Sequence, residues 1–380
     1  MKVCIVRNAE LESNANMQRV INAMHYAQNE ALTISRNRAM DKNEKKRFIK
    51  SNKKLYGKLV NDLEIQLFSE RGGGIKNIFS LLKYQYYLFT CLRKNHQKYD
   101  VIHSFDLDTG FVSYLISKIY KKKFVYHIAD FFADSRPGIP SKLYNVVRYL
   151  ELYVVNHSDL TIVCTEKRLE QIFGSNPKKV ITVHNSPVIQ DNEFNNIYPT
   201  RLDNEYLKIG YVGGLSNARF ILELLEIASN NSNVQVDIAG YGNVQESVIK
   251  YADKYPNINY FGTLNYSKSL ELYSKVDLIF AMYDPSVKNN QLSAPNKFYE
   301  SLLLGKPIVV SNGTGVDELV NKENVGYTID YTTEALSELI EYLFNNKKDL
   351  IIKGTHAKQN YKNYSWEEMR ERLIAAYQEL

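Results

Sequence analysis

Cysteine is scarce in this sequence, and its placement argues against two classes of protein. The three cysteines, Cys4, Cys91 and Cys164, are scattered and form neither a CxxC pair nor a Cys/His ligand pattern. An odd number of such cysteines argues against a disulfide framework and a structural zinc site. It is typical of a reducing compartment, so we expect a cytoplasmic protein, with a peripheral position at the inner face of the membrane as the alternative.

Long apolar runs are also missing, which limits the fold classes further. No window of 18 or more apolar residues occurs, so no membrane-spanning helix is expected. The start, "MKVCIVRNAELE", lacks the apolar core of a signal peptide and predicts a short buried strand. The hydrophobic content of 44% and charged content of 24% are typical of a globular protein. A chain of 380 residues suits two domains of roughly 150–200 residues each.

Charge is unevenly distributed along the chain. Residues 41–58, "DKNEKKRFIKSNKKLYGK", hold eight Lys or Arg and two acids, an excess as large as the net charge of +6 for the whole chain. Such a run predicts a solvated helix or loop. The alternative is a patch that faces an anionic membrane surface or a phosphorylated substrate. No nucleic-acid partner is expected, because the excess is local and the usual nucleic-acid motifs are missing.

Strand-like and helix-like segments alternate through both halves of the chain. This alternation predicts an α/β fold with parallel sheets covered on both faces. Residues 186–206 are polar, contain two prolines and predict a linker. We therefore expect an N-terminal Rossmann-like domain over 1–190 and a C-terminal one over 191–364.

The last residues form a separate element. Residues 365–380, "SWEEMRERLIAAYQEL", predict an amphipathic helix that begins after Ser365. Its apolar side chains recur at spacings of three and four and form one stripe: Trp366, Met369, Leu373, Ile374 and Tyr377.

Glycine turns follow three strands of the second half. They occur in "GYVGGLS", "DIAGYGN" and "YFGTL". Ligands of open α/β sheets lie beyond the carboxyl ends of the strands, where small residues let the backbone approach them. Each turn is also explained by chain reversal alone, but their recurrence makes nucleotide-site candidates of Gly213, Gly214, Gly240, Gly242 and Gly262.

One acid interrupts an apolar helical segment. In "SAPNKFYESLLLGKPIVV", residues 293–310, Glu300 lies within a helix that begins near Pro295. A carboxylate there accepts two hydrogen bonds from a vicinal diol, such as a ribose. The alternative is a local ion pair with Lys297 or Lys306, although Lys before Glu is the weaker order in a helix.

These segments together resemble the family 4 glycosyltransferases. "IGYVGGLSNARFILELLEIA", "VDIAGYG" and "INYFGTLNYSKSLELYSKVDLIF" are similar to successive family motifs, and "APNKFYESLLLGKPIVVSNGTGVDELV" resembles the most diagnostic one. The resemblance implies the GT-B fold, two Rossmann-like domains with parallel sheets facing across a cleft. It also implies that Glu300 binds the nucleotide ribose and that the residues near the donor phosphates are Arg219, Pro295, Asn296 and Lys297.

The sequence departs from the family in two places. A second glutamate often lies eight positions before Glu300, where this chain has Leu292. Many relatives carry a glycine-rich loop after the first strand, but here "RNAELESNANMQR" has no glycine. The resemblance suggests that side chains line the acceptor side instead, namely Arg7, Asn14, Arg19 and His103.

The family commonly has a histidine at the end of the strand that corresponds to "FVYHIAD". Alignment places it at Ala129, whereas His127 lies two residues earlier on the same face. We expect Asp130 and His127 near the acceptor, with a core role as the alternative for His127. Together with Arg219 and Lys297 they form the candidate catalytic set. No convincing Asp-x-Asp motif occurs, so we expect neither a metal nor a cofactor apart from the nucleotide-sugar substrate.

The resemblance implies a retaining hexosyl- or N-acetylhexosaminyl-transferase. It would move a sugar from a nucleotide-sugar, expected to be a UDP-sugar, to a saccharide or lipid-linked saccharide acceptor. Bacterial surface or capsular polysaccharide synthesis is the expected setting. A nucleotide-sugar epimerase of the same fold and a non-catalytic GT-B partner subunit are the alternatives.

Overall fold

The computed structural model describes residues 1–38, 47–69, 77–136, 139–189, 205–293 and 295–380. The chain divides into two units. The N-terminal unit holds Met1–His184 together with Met369–Leu380, and the C-terminal unit holds Asn185–Glu368. Most of the segment read as a linker, residues 190–204, lies outside the described residues.

The N-terminal unit is built on an eight-stranded sheet whose strands are parallel apart from one at the edge. The strand order is β3-β4-β2-β1-β5-β6-β7-β8, and only β3 is antiparallel to its neighbour. The order reverses between β1 and β5, which pair directly with each other. The strands are β1 (Lys2–Val6), β2 (Glu30–Asn37), β3 (Phe48–Leu55), β4 (Lys58–Gln66), β5 (Val101–Phe105), β6 (Lys123–Ile128), β7 (Leu160–Val163) and β8 (Val180–Thr182).

Helices cover this sheet because each crossover between parallel strands needs one. Three of them share a hydrophobic core with one face of the sheet, through buried side chains such as Leu88, Ile116 and Val154. These three are α2 (Ile78–Lys94), α3 (Leu107–Ile119) and α4 (Ser141–His157), and α1 (Ala15–Tyr26) joins β1 to β2.

The basic run does not form the predicted helix or loop where the structure describes it. Residues 41–46 lie outside the described residues, and β3 and β4 pair in a hairpin with Leu55 opposite Lys58. Along β3 the side chains alternate between exposed and partly covered, which is the period of an edge strand. The abundance of lysine hides this alternation in the sequence.

The C-terminal unit has a six-stranded parallel sheet in the order β11-β10-β9-β12-β13-β14. Counted from the first strand this is the order 3-2-1-4-5-6 of dinucleotide-binding Rossmann domains. The strands are β9 (Leu207–Gly214), β10 (Val234–Tyr241), β11 (Ile258–Tyr260), β12 (Leu278–Ala281), β13 (Ile308–Ser311) and β14 (Gly326–Ile329). The helices are α5 (Ile221–Ser229), α6 (Gln245–Lys254), α7 (Tyr266–Ser274), α8 (Asn296–Leu304), α9 (Val316–Glu323), α10 (Thr333–Asn345) and α11 (Lys347–Tyr364).

The last helix, α12 (Trp366–Gln378), begins in the C-terminal unit and continues into the N-terminal unit. Its apolar stripe is buried along its whole length. In the N-terminal unit Arg372 donates to the carbonyl of Thr182 at 3.0 Å, and the Tyr377 hydroxyl lies 2.6 Å from Nδ1 of His103. None of the helices in the described part of the chain is long and apolar enough to cross a bilayer.

The bond between Tyr377 and His103 gives a stability prediction. Tyr377→Phe keeps the ring but leaves a buried imidazole nitrogen without this partner, at an expected cost of about 1–3 kcal/mol in unfolding free energy. Urea unfolding monitored by circular dichroism measures the cost, with the exposed Tyr342→Phe as the matched control. Equal stability of Tyr377→Phe and the control would mean that this bond contributes nothing.

Candidate functional site

The sequence-predicted nucleotide residues gather at the carboxyl ends of β9, β10 and β12. These three strands are neighbours, and the strand order reverses between β9 and β12. In open α/β sheets such a switch point is where ligands bind. The structure brings Gly213, Arg219 and Lys297 together there, around the side chain of Tyr283.

Two glycines are required by the close approach of β9 and β10. A Cβ atom on Gly240, whose φ is +140°, would lie 1.8 Å from the carbonyl oxygen of Gly213. A Cβ on Gly242 would lie 2.0 Å from the carbonyl oxygen of Leu215. Neither position accepts a side chain without a shift of the backbone, so these turns are more than chain reversals.

The remaining glycines play different parts. A Cβ on Gly213 would lie 3.0 Å from Nζ of Lys297, so this glycine leaves the lysine its space. A Cβ on Gly214 or on Gly262 would meet no heavy atom within 4 Å, and Gly262 has a φ of +65°. The lack of a side chain at Gly214 therefore opens space at the strand end, which is the condition that backbone approach to a ligand needs.

Lys297 is buried at the start of α8. Its Nζ lies 3.5 Å from the Tyr283 hydroxyl and 4.6 Å from the ring centre of Tyr211. Burial lowers the pKa of Lys297, but the two tyrosines outweigh burial and the pKa is raised overall. The lysine therefore stays charged beside two aromatic rings that it attracts through cation–π contacts.

Arg219 also contacts Tyr283. Its guanidinium carbon is 3.8 Å from the centre of the Tyr283 ring, and its buried Nη1 has no hydrogen-bond partner. Burial raises the pKa of Tyr283, and the charges of Lys297 and Arg219 lower it. The effect of the two cations is the larger, so the pKa of Tyr283 is lowered overall. An unpartnered guanidinium donor next to a second cation is the arrangement that a phosphate would complete.

The helix that carries Lys297 adds to this positive potential. Pro295 is the N-cap residue of α8, with extended backbone angles, and Asn296 is the first helical residue. Pro295 therefore lies directly before the first turn of α8, close to the start that the sequence predicted. Pro295 supplies no side-chain cap, and the amide of Phe298 donates to the carbonyl of Pro295 at 3.0 Å. The positive end of the helix dipole favours an anion at this end of α8. Ala294 lies outside the described residues.

Glu300 is buried one turn further along α8. Its charge raises the pKa of Lys297 and of Tyr273, so it lies within electrostatic reach of both. The Tyr273 hydroxyl donates to and accepts from the backbone of Val212 near the end of β9. The Lys306 alternative is weakened, because the charge that acts on Lys306 is that of Asp277.

The loop after β13 is hydrogen-bonded to a carboxylate in the first turn of α9. Asp317 accepts a hydrogen bond from the amide of Gly313 at 2.6 Å, and Thr314 bonds the carbonyl of Ser311. A carboxylate therefore already occupies one of the backbone amides of this loop. Leu292, which replaces the family glutamate, is half-buried in a short 3-10 helix.

The N-terminal unit has its own switch point between β1 and β5, and the sequence reasoning missed its central residue, Asp106. Asp106 follows β5 with a φ of +57°, a strained conformation for a non-glycine residue. One oxygen accepts from the amides of Ala129 and Asp130 at 2.8 and 2.9 Å, and the other lies 3.6 Å from Arg7. Burial raises the pKa of Asp106 to about 7 although Arg7 opposes it. The acid that ends "VIHSFD" was the available signal.

Asp130 is exposed at the same edge of the sheet. Its carboxylate lies 3.4 Å from Arg168, which also donates to Gln171 at 2.9 Å. Gln171 in turn donates to Asp134 at 2.8 Å. This network holds the carboxylate of Asp130 in place and leaves it exposed to solvent. Nothing in the sequence indicated the role of Arg168.

The two histidines are interior residues. His103 Nε2 lies 3.1 Å from His127 Nδ1, and both rings are buried. Burial lowers the pKa of His103 to about 3, and burial followed by the charge of His103 lowers the pKa of His127. The expectation that His103 lines the acceptor side is wrong, because its ring is enclosed by His127 and Tyr377. For His127 the structure favours the core alternative.

Two other acceptor-side candidates have structural roles. The Asn14 side chain accepts from the amide of Met17 at 3.0 Å and caps α1. Arg19 is buried on the same helix and donates to Asn16. Of the four residues expected on the acceptor side, Arg7 is the one that pairs with Asp106.

Known proteins of the same fold match the whole chain. Sucrose-phosphate synthase from Thermosynechococcus elongatus is 13% identical and has a TM-score of 0.74, with 100% of this chain and 98% of that chain covered. Anabaena HepE in complex with UDP is 14% identical with a TM-score of 0.68, and both chains are covered completely. The E. coli structure described as trehalose-6-phosphate bound with UDP-2-fluoro glucose is 11% identical with a TM-score of 0.71, covering 99% and 98%.

Sequence comparison locates the family signal in the second half of the chain. No curated protein matches this sequence. Residues 193–365 match the family model described as glycosyl transferases group 1, and the solved structures share the GT-B fold. Both findings confirm the resemblance that the motifs indicated. The C-terminal unit of this chain is thus similar to the group 1 glycosyl transferases, and the chain has the GT-B fold.

Proposed function

We propose that this protein transfers a sugar from a UDP-sugar to a hydroxyl group of a saccharide or lipid-linked saccharide. The observation that carries the proposal is the pair of cations around Tyr283, with an unpartnered guanidinium nitrogen at the switch point of a Rossmann sheet. Among the described residues, no ion pair joins Arg219 or Lys297 to a carboxylate. A nucleoside diphosphate supplies the missing negative charge.

The choice of donor follows from the comparisons and from α8. The Anabaena and E. coli structures hold UDP and a UDP-sugar analogue, respectively. In the proposed complex Glu300 accepts hydrogen bonds from the ribose hydroxyls, while the start of α8 and Lys297 meet the phosphates. Gly214 keeps the end of β9 open, so that its backbone can approach such a ligand.

The proposed chemistry is transfer with retention at the anomeric carbon. The bond between that carbon and the β-phosphate oxygen breaks, and the acceptor oxygen forms the new bond on the same face. The acceptor proton passes to the departing diphosphate. Arg219, Lys297 and the amides of α8 stabilise the charge that develops on the leaving group.

The acceptor is assigned to the N-terminal unit. Asp130 is exposed and held by Arg168, so it is the carboxylate best placed to hold an acceptor hydroxyl there. Arg7, partly exposed and bridged to Asp106, adds a donor for a second oxygen. Synthesis of a bacterial surface or capsular polysaccharide is the setting that we propose for this reaction.

Leu292 keeps one other function open. A carboxylate at this position is common in relatives, and its loss favours a non-catalytic partner subunit that retains the fold. Hydrolysis of the donor without acceptor distinguishes the two, because a subunit without chemistry releases no sugar from UDP-glucose or UDP-N-acetylglucosamine.

Glu300→Ala tests the ribose contact. Loss of charge-assisted hydrogen bonds is expected to weaken UDP binding by roughly 1.5–3 kcal/mol, which is about a 10- to 150-fold rise in Kd. Isothermal titration calorimetry measures it, with the exposed Glu334→Ala as the matched control. Unchanged affinity in a folded Glu300→Ala protein would refute the ribose role.

Lys297→Met tests the phosphate contact and separates function from stability. Removal of a buried charge is expected to leave the melting temperature unchanged or raised, whereas turnover falls by about two to three orders of magnitude. Differential scanning fluorimetry and a donor-hydrolysis assay measure the two effects, and Lys254→Met on an exposed surface is the control. A less stable protein with normal turnover would show that Lys297 is only structural.

Asp130→Asn tests the acceptor side. The variant is expected to lower transfer to a saccharide acceptor at least tenfold, while UDP affinity stays at the wild-type value because Asp130 lies in the other unit. Asp253→Asn, also exposed, serves as the control. If transfer is normal in both variants, Asp130 takes no part in acceptor binding.

A further inference from the structure

Three neighbouring helices of the N-terminal unit expose apolar side chains. Helices α2, α3 and α4 pack side by side on one face of the sheet and share a single core. On their outward faces, eight apolar side chains are between 37% and 77% exposed. These residues define what we call the outer helix surface: Phe79, Leu82, Tyr86, Leu115, Ile119, Leu143, Val146 and Tyr149.

The spacing shows that these are continuous stripes and no random scatter. On α2 the exposed residues follow the spacing i, i+3, i+7, and on α4 they follow i, i+3, i+6. Both spacings keep the side chains on one face of a helix. Globular proteins rarely leave such contiguous apolar area in water unless it binds something.

The charges between the stripes have one sign. The sequence of α2 contains no acid, and the only acid of α4 is Glu151, which is buried and accepts from Tyr126 and Phe132. On α3, Asp108 is partly covered and accepts from Asn8. The exposed charges of the three helices are basic: Lys83, Arg93, Lys94, Lys118 and Lys142.

The hairpin extends this basic character beyond α2. Phe48 of β3 packs edge-on against Tyr87 of α2, with ring centres 5.6 Å apart. Beside the hairpin, a groove of about 620 Å³ is lined by four lysines, Lys2, Lys50, Lys58 and Lys98, and by one acid, Glu30, which pairs with Lys2 at 3.6 Å. The described part of the basic run, residues 47–58, therefore adjoins the outer helix surface.

We propose that the outer helix surface docks on the face of an anionic phospholipid bilayer. Aromatic and aliphatic side chains insert between the headgroups, and the surrounding lysines and arginine meet lipid phosphates. A basic protein partner is disfavoured, because the described side chains of the three helices include no exposed acid. This docking does not depend on transferase activity.

If the proposed function also holds, the docking brings a lipid-linked acceptor to the edge of the N-terminal sheet at which its strands end. Helices α2 and α4 follow β4 and β6, so their first turns lie at the carboxyl ends of the strands, where Arg7 and Asp130 are. An acceptor in the bilayer surface would enter the N-terminal unit from the side of Phe79 and Leu143.

The test is cosedimentation with vesicles of phosphatidylglycerol and phosphatidylcholine. The wild-type chain is expected to bind these and to bind pure phosphatidylcholine at least tenfold more weakly. The triple variant Phe79→Ser, Leu82→Ser, Tyr86→Ser is expected to lose at least tenfold in binding to the anionic vesicles. The matched control replaces three exposed apolar residues of the C-terminal unit, Tyr342, Ile351 and Ile352, with serine and keeps wild-type binding.

A fluorescence measurement reports contact directly. Tyr86→Trp places an indole on the surface, and the native Trp366 is buried, so a blue shift with anionic vesicles reports insertion of position 86. Circular dichroism and UDP affinity without vesicles show whether the serine variant is folded.

Equal vesicle binding by wild type and the folded triple variant would overturn the proposal. The proposal would also be overturned if light scattering showed a dimer for the wild type and a monomer for the triple variant, because a second copy of the chain would then cover the surface. If the wild-type chain binds vesicles but does not bind UDP, the proposed transferase function is refuted and the membrane docking of the outer helix surface still holds.

Discussion

Two cations share one phenol ring at the switch point of the C-terminal sheet, and this unbalanced positive charge is the constraint on which the site depends. Burial of a charge costs free energy unless a partner compensates it. Here Tyr283 and Tyr211 supply the negative faces of their rings, and the Tyr283 hydroxyl lies 3.5 Å from Nζ of Lys297. Arg219 keeps a buried donor without a partner. Glu300 compensates in part from the next turn of α8. Such a site is completed by a ligand that carries more than one negative charge.

The backbone around the site serves the same requirement. Gly240 and Gly242 let β9 and β10 meet at distances that no side chain allows, and Gly213 leaves room for the lysine. At the N-terminal switch point the balance is reversed: a strained acid, Asp106, is held by two backbone amides and by Arg7. One unit therefore presents positive charge and the other carboxylates, which suits an anionic donor and a hydroxyl acceptor.

The sequence predicted those features that short segments determine by themselves. The alternation of strands and helices predicted the α/β class, and the segment from Pro295 to Pro307 predicted the family, because turns and helix faces are local patterns. Contacts between distant segments were not readable. Tyr283 lies between two cations only because β12 ends beside β9, and Arg168 reaches Asp130 from a turn that is 38 residues away. Likewise, His103 ends as a core residue because Tyr377 returns from 274 residues further along the chain. The β3–β4 hairpin was missed since lysine masks the period of two.

The measurement that tests the account most directly is calorimetric titration of the wild-type protein with UDP, UMP and uridine. The account predicts that UDP binds at least tenfold more tightly than UMP and that uridine binds most weakly, because each added phosphate meets Arg219, Lys297 and the start of α8. Higher salt should narrow these differences. Equal affinity for UDP and uridine, or no binding of UDP, would contradict the claim that these cations form a diphosphate site.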